Sequence, residues 1–412
     1  MRILYSLFIH LFGLAIWLSS FFNPKSKLWI DGRRNWKEKL AGKTLKNRKV
    51  VWIHCASLGE FEQGRTVIEH LKKSQPNVYI LTTFFSPSGY EVRKNYEFAD
   101  AVVYLPLDTK NNAKKFIEIA NPSLVIFVKY EFWFNYIFEL NSKKIPLLSI
   151  SAIFRDEHYF FKWYGAWFLK QLATIQMFFV QDETSKQMLL SSKIKEVTVS
   201  GDTRFDRVNE ISKSVFVDDL VADFSKNSFL IIAGSSWPED ELILRRFYEV
   251  NQSQNIKIII APHHVDSENI LRICNEWKAF NPVLFSQINS SKLSETNVMV
   301  IDCMGKLMQL YKYGNLAFVG GGFGKGIHNV LEPATFGLPL AFGPNFNKFK
   351  EANDLILLDV ATVINSSSDF EQFAELQNNN ELYITKSKTA TKYVTENIGA
   401  TDVIVDYIAK LL

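Results

Sequence analysis

A chain of 412 residues, 47% hydrophobic and 22% charged, holds enough apolar material for two packed domains and excludes a disordered composition. A net charge of +4 is too mild for the dense basic stripe of a nucleic-acid binder, so no nucleic-acid partner is expected. Three cysteines (Cys55, Cys274, Cys303) and seven scattered histidines give neither a disulfide framework nor metal-ligand spacing, so no metal site is assigned.

The first element is apolar. Residues 3–22 read ILYSLFIHLFGLAIWLSSFF, long enough to cross a bilayer, which takes ~20 residues. Lys25, Lys27, Arg33, Arg34, Lys37 and Lys39 follow, and by the positive-inside rule they put the bulk of the chain in the cytoplasm. The basic cluster lies on the wrong side for a signal peptide. Residues 1–22 are therefore read as a membrane anchor, either spanning or interfacial. The competing reading is a helix packed on the protein.

Short β-branched and aromatic runs come next, at 50–53, 78–82, 102–105, 124–128, 147–150 and 177–180, with helical patterns between most of them. CASLGEFEQG, residues 55–64, places Glu60 just after a Ser-Leu-Gly turn, where a strand hands over to a helix. VKYEFWFN places Glu131 directly after the strand 124–128. Two acids at strand ends of one sheet suit proton abstraction plus positioning; they also read as solvated helix-start acids. Residues 158–179 are dense in aromatics, among them Tyr159, Trp163 and Trp167, with Lys162 and Lys170 interleaved. That composition suits a membrane interface, acyl chains or core packing.

The pattern pauses at 208–228, a candidate linker, and resumes with strands at 229–233, 256–261, 298–301, 316–319 and 338–342. The expectation is an α/β chain of two doubly wound, Rossmann-like domains, 23–207 and 229–412, facing a central cleft. Ligands of such sheets bind beyond the carboxyl ends of the strands. IIAGSSWPEDE puts Ser235 and Ser236 at such an end, as phosphate donors or helix caps. His263 and His264 follow another strand, with side chains expected to diverge. In LAFVGGGFGKGIHNVLEPATFG a strand runs into Gly320, Gly321 and Gly322, with Lys325 nearby and a helix expected from His328 or Asn329. Glycines and a helix N-terminus together suit an anion, although this is neither G-x-G-x-x-G nor a P-loop. Glu332 reads two ways, as a ligand for ribose hydroxyls or as a first-turn dipole partner.

As a set, HCASLGEFEQ, LTTFFSPSGYE, PSLVIFVKYEFWFN, VSGDTRFD, AGSSWPEDE, IDCMGKLMQLY and FVGGGFGKGIHNVLEPATFGLPLAFGP resemble the 3-deoxy-D-manno-octulosonic acid (Kdo) transferases of lipopolysaccharide synthesis, GT-B glycosyltransferases of family 30. The resemblance implies an inverting transfer of Kdo from CMP-Kdo to the lipid A precursor, lipid IVA. It also implies no metal or cofactor, and attachment to inner-membrane lipids at the cytoplasmic face. It makes Glu60 the catalytic base and Glu131 a second acid. It puts Ser235, Met304, Gly305, Gly320, Gly321, Gly322, His328, Asn329 and Glu332 on the CMP-binding side. Two stretches depart from the family pattern. Pro262-His263-His264 stands where the family has Pro-Arg-His, so a donor-facing cation requires a protonated His263 or a lysine. Ser151-Ala152-Ile153 replaces Asn-Ala-Arg, leaving Arg155 for that role. Without the resemblance, the same architecture suits a UDP-sugar epimerase or a nucleotide-binding membrane protein.

Overall fold

The computed structural model describes every residue except 43–47, 215, 290–292, 294 and 295. Contacts divide the chain into one unit of Met1–Arg207 with Ile398–Leu412 and a second of Val208–Asn397.

The first unit is built on seven parallel strands: β1 Val50–Cys55, β2 Tyr79–Phe84, β3 Ala101–Tyr104, β4 Leu124–Val128, β5 Leu147–Ala152, β6 Met177–Val180 and β7 Val197–Val199. Their order is β3-β2-β1-β4-β5-β6-β7. β1, β2, β4 and β5 are buried along their whole length, which is why they read as unbroken apolar runs rather than alternating ones. Side chains still alternate between faces. Trp52 packs into one core cluster, whereas Val51 and Ile53 pack into another.

The second unit repeats the plan with β8 Phe229–Ser236, β9 Ile256–Pro262, β10 Val283–Leu284, β11 Val298–Val300, β12 Leu316–Val319, β13 Leu340–Phe342 and β14 Ala361–Val363, in the order β10-β11-β9-β8-β12-β13-β14. The short outer strands β7, β10 and β14 lie outside the expected set.

The domain limits differ from expectation at two places. The last helix, Ala400–Leu411, belongs to the first unit: Ile404, Val405 and Ile408 join a core cluster of the first sheet. Asp206 fixes the entry to that helix by accepting from Gly399 N (2.5 Å), Thr401 N (2.7 Å) and Thr401 Oγ1 (2.7 Å). The expected linker is largely helical, and its Val215 lies outside the described residues. Thr203–Lys213 ends within it, and Asp219–Ser225 buries Val221 and Phe224 in the second unit.

Residues 2–19 form one helix, long and apolar enough to cross a membrane by length and composition.

Candidate functional site

In each sheet the strand order reverses at one point, and a doubly wound sheet opens a crevice there. In the first unit this point lies between β1 and β4. The chain leaving β1 forms the Leu58–Ser74 helix, started by a capping box in which Ser57 is the N-cap and Glu60 the third helical residue. The Glu60 carboxylate turns back and accepts from Ala56 N (2.5 Å) and Ser57 N (3.1 Å), both on Oε2. It is only 7% exposed, so it is no solvated surface acid. Burial, then the neighbouring charge of Glu131, raise its pKa to about 8; Lys129 and the two N–H bonds pull the other way.

The chain leaving β4 turns sharply at Lys129, whose φ of 63° is left-handed. Lys129 N bonds Ile150 O (2.9 Å), and Ser149 Oγ bonds Lys129 O (3.0 Å). This turn delivers Glu131 beside Glu60. Burial raises the Glu131 pKa and Lys129 opposes the rise. Trp133 holds the far side of the loop by donating from Nε1 to His54 Nε2 (3.0 Å) at the end of β1. Burial keeps His54 neutral, with a pKa lowered to about 3. Arg155 lies near Tyr130, where its charge counters the rise that burial imposes on the phenol. The structure thus brings together Glu60, Glu131 and the surroundings of Arg155. The sequence reading missed His54 and Trp133, because their pairing joins two chain segments 79 residues apart.

In the second unit the reversal lies between β8 and β12. Ser235, next to last in β8, takes a left-handed conformation, φ 52°, at a register shift between Gly234 and Ser236. Ser236 is committed elsewhere: its Oγ donates to Glu241 Oε1 (2.9 Å), itself paired with Arg272 (2.6 Å). The three glycines after β12 have structural duties. A Cβ on Gly320 would stand 2.3 Å from Ser235 O, and Gly321 has a φ of 91°. The N–H groups of Gly320 and Gly321 are not free for an anion. Gly320 N bonds Gly234 O, and Gly321 N bonds Asp240 Oδ2, both at 2.9 Å. The helix expected from His328 or Asn329 begins instead at Leu331 and runs only to Thr335. Pro333 and the turn at Gly337 leave it no room to extend. Asn329 sits before it, accepting from Leu331 N (3.1 Å) and donating to Glu332 Oε1 (3.1 Å). Met304, 75% exposed, and Gly305 lie on an open turn after β11.

His263 and His264 do not diverge. Their ring centroids are 4.7 Å apart. His263 is stacked between Trp237 (4.9 Å) and His328 (4.5 Å), and Trp237 Nε1 donates to His328 Nε2 (3.1 Å). Burial, then the adjoining ring, lower the pKa of both, that of His328 to about 4. The lowered pKa of His263 favours its neutral ring over the protonated one that a donor-facing cation would require here. Trp237 was missed as a site residue because its partners come from two other chain segments.

A family model described as 3-deoxy-D-manno-octulosonic-acid transferase (kdotransferase) matches residues 34–207. A 3-deoxy-D-manno-octulosonic acid transferase of Haemophilus influenzae is 28% identical over 377 residues, 88% of this chain and 87% of its own. One from Aquifex aeolicus is 27% identical over 318 residues, 76% of this chain and 81% of its own. Among solved structures, the Neisseria meningitidis UDP-GlcNAc 2-epimerase bound to UDP-GlcNAc superimposes with a TM-score of 0.61 at 17% identity, covering 88% of this chain and all of the other. A Rickettsia africae glycosyltransferase gives 0.57 at 12% identity, covering 89% and 99%. These likenesses are of fold, the two-domain GT-B architecture. The sequence matches go further along the chain's own residues, and by them the chain is similar to the 3-deoxy-D-manno-octulosonic acid transferases.

Proposed function

We propose that this protein is an inverting glycosyltransferase that moves Kdo from CMP-Kdo to lipid IVA at the cytoplasmic face of the inner membrane and releases CMP. The observation that carries the proposal is the pair Glu60 and Glu131 at the strand reversal of the first sheet, in a chain similar to the 3-deoxy-D-manno-octulosonic acid transferases. A base must be buried enough to have a useful pKa and still keep an oxygen for the proton it takes. Both internal bonds of Glu60 fall on Oε2, which leaves Oε1 for the acceptor hydroxyl.

In this reading Oε1 removes the hydroxyl proton as the acceptor oxygen bonds to the anomeric carbon of Kdo. The bond from that carbon to the phosphate oxygen breaks, and its electron pair leaves with CMP. His328, Asn329 and the exposed Lys325 are the groups we assign to the phosphate, with Glu332 assigned to the ribose. CMP-Kdo has one phosphate and no pyrophosphate to clamp, so we propose a reaction without a metal cofactor. Incubation with CMP-Kdo and lipid IVA, read by product mass and by CMP release, is the test. A protein that releases no CMP, yet interconverts UDP-sugars, would be an epimerase instead.

Glu332→Ala is expected to weaken CMP binding about tenfold or more while leaving acceptor binding unchanged, because a hydrogen bond to a charged group contributes ~1.5–3 kcal/mol. Calorimetric titration with CMP checks it. Unaltered affinity would leave Glu332 a structural partner of Asn329 and not a nucleotide ligand.

A further inference from the structure

The helix Arg2–Ser19 meets two different surroundings. Tyr5, Ser6, Ile9, Phe12, Gly13 and Ile16 are covered to varying degrees, at the spacing of one helix face. Ile3, Leu7, Leu11, Leu14 and Leu18 form the opposite stripe, and each is more than half exposed.

The covered face is tied to the first unit along its whole length. Tyr5 Oη donates to Asp108 Oδ2 (2.6 Å), and fully buried Asp108 also accepts from Asn135 N and Tyr136 N (3.0 Å each), at the start of the Phe134–Ser142 helix. Arg2 Nε donates to Asn135 Oδ1 (3.4 Å), and its guanidinium lies 3.5 Å over Phe138. Phe12 stacks on Phe85 (6.2 Å), and a Cβ on Gly13 would stand 2.5 Å from Leu107. Ser19 and Ser26 share a hydrogen bond (3.0 Å) at the other end.

A spanning helix cannot keep these contacts. Eighteen residues rise about 27 Å, nearly the ~30 Å hydrocarbon thickness. The unit touches the helix from its first turn to its last, so a span would carry Asp108, Asn135 and irregular loops into lipid, where such backbone has no partners. We infer that Arg2–Ser19 lies in the plane of a single leaflet of an anionic bilayer, its inner face docked on the first unit and its outer leucine stripe sunk among the acyl chains. Charge supports this occupant. Lys25, Lys27, Arg34, Lys37 and Lys39, just beyond the helix, are all exposed, as anionic headgroups require.

The surface continues toward the candidate acids. An apolar groove of about 590 Å³ is lined by Met1, Leu4 and Phe8 of the helix, by Tyr159, and by Glu131 and Trp133 of the turn after β4. Trp163, 94% exposed, extends the same aromatic segment. A lipid-borne acceptor therefore has an apolar path from the leaflet to Glu131 that crosses no headgroup layer on the far side. That last step rests on the transferase reading; the docking itself does not.

The test uses the full chain with a short protease-cleavable N-terminal tag, bound to sealed vesicles of phosphatidylethanolamine and phosphatidylglycerol. Protease added outside should cut the tag on every molecule whose body faces outward, without detergent. A tag protected until detergent is added would mean a span and overturn the inference. Leu7→Glu with Leu11→Glu should lower vesicle co-sedimentation about tenfold or more, with thermal unfolding unchanged, and binding should fall on pure phosphatidylcholine. Wild-type co-sedimentation by the double variant, or a soluble dimer that ignores vesicles, would overturn it. A protein whose tag is cut but which transfers no Kdo would keep this inference and lose the transferase reading.

Discussion

Glu60→Gln is expected to lower the transfer rate by ~10²–10⁴-fold while CMP affinity and fold stay intact, the usual loss when a general base is removed. Gln keeps a carbonyl oxygen for Ala56 N and Ser57 N, so the capping of the Leu58–Ser74 helix survives and the missing group is the base alone. The pH behaviour makes the prediction sharper. A base must be ionised to act, and the pKa of Glu60 is raised to about 8, so wild-type activity should climb through the mildly alkaline range rather than near the ordinary ~4.3. The apparent value belongs to the Glu60–Glu131 pair. Glu131→Gln removes the like charge and should move that limb toward lower pH. Stability runs in the opposite sense. A carboxyl whose folded pKa lies above its unfolded value favours the fold below ~4.3, and that contribution drains away as pH rises to about 8. Glu60→Gln should therefore lose less of its thermal midpoint than wild type between pH 5 and 9. A glutamine variant with near-normal turnover would remove Glu60 from the chemistry and leave it a helix cap.

Much of this arrangement is legible in the residues. A strand buried on both faces must be an unbroken apolar run, so the ends of β1 and β4 are marked by where the run stops, and Glu60 and Glu131 stand just beyond. The short strands left no such mark. β10 has two residues and β14 three, lengths at which periodicity cannot be told from loop. The return of the last helix to the first unit depends on Asp206, nearly two hundred residues upstream of Thr401, and no local pattern records a partner at that distance. The glycines after β12 show a different limit. Their presence signals close approach, but only the structure says to what. Gly320 makes room for the backbone at Ser235, and its N–H is spent on Gly234, so a loop that reads as an anion cradle is first a joint between two strand ends.

That joint is where the second large effect is expected. Asp240→Ala should destabilise the second unit by ~2–4 kcal/mol and weaken CMP binding by tenfold or more. Asp240 is 1% exposed, and its Oδ2 accepts from Trp237 N and Gly321 N at 2.9 Å each. One atom thus starts the Pro238–Val250 helix and anchors the glycine turn after β12. Alanine leaves both donors unpaired, and a buried donor without a partner costs ~1–3 kcal/mol. The nucleotide effect follows from position. Trp237, which donates to His328, is released at its backbone just as Gly321, against which His328 packs, is released at its own. Both supports of the His328 ring loosen together. Asn is the informative second substitution. It restores the accepting oxygen, yet it buries an amide where Oδ1 finds no hydrogen-bond partner, so it should recover only part of the loss. The sign of the pH dependence is also set. Burial first, then Glu241 and Glu239, raise Asp240 to about 6, so its contribution to stability falls as pH rises from ~3.9 to about 6, and both variants should lack that slope. Denaturant titration across pH 4–7, paired with CMP calorimetry, measures each part. If Asp240→Ala unfolds earlier but binds CMP as wild type does, the glycine turn is a structural joint only, and the nucleotide must be held by residues other than the His328 ring.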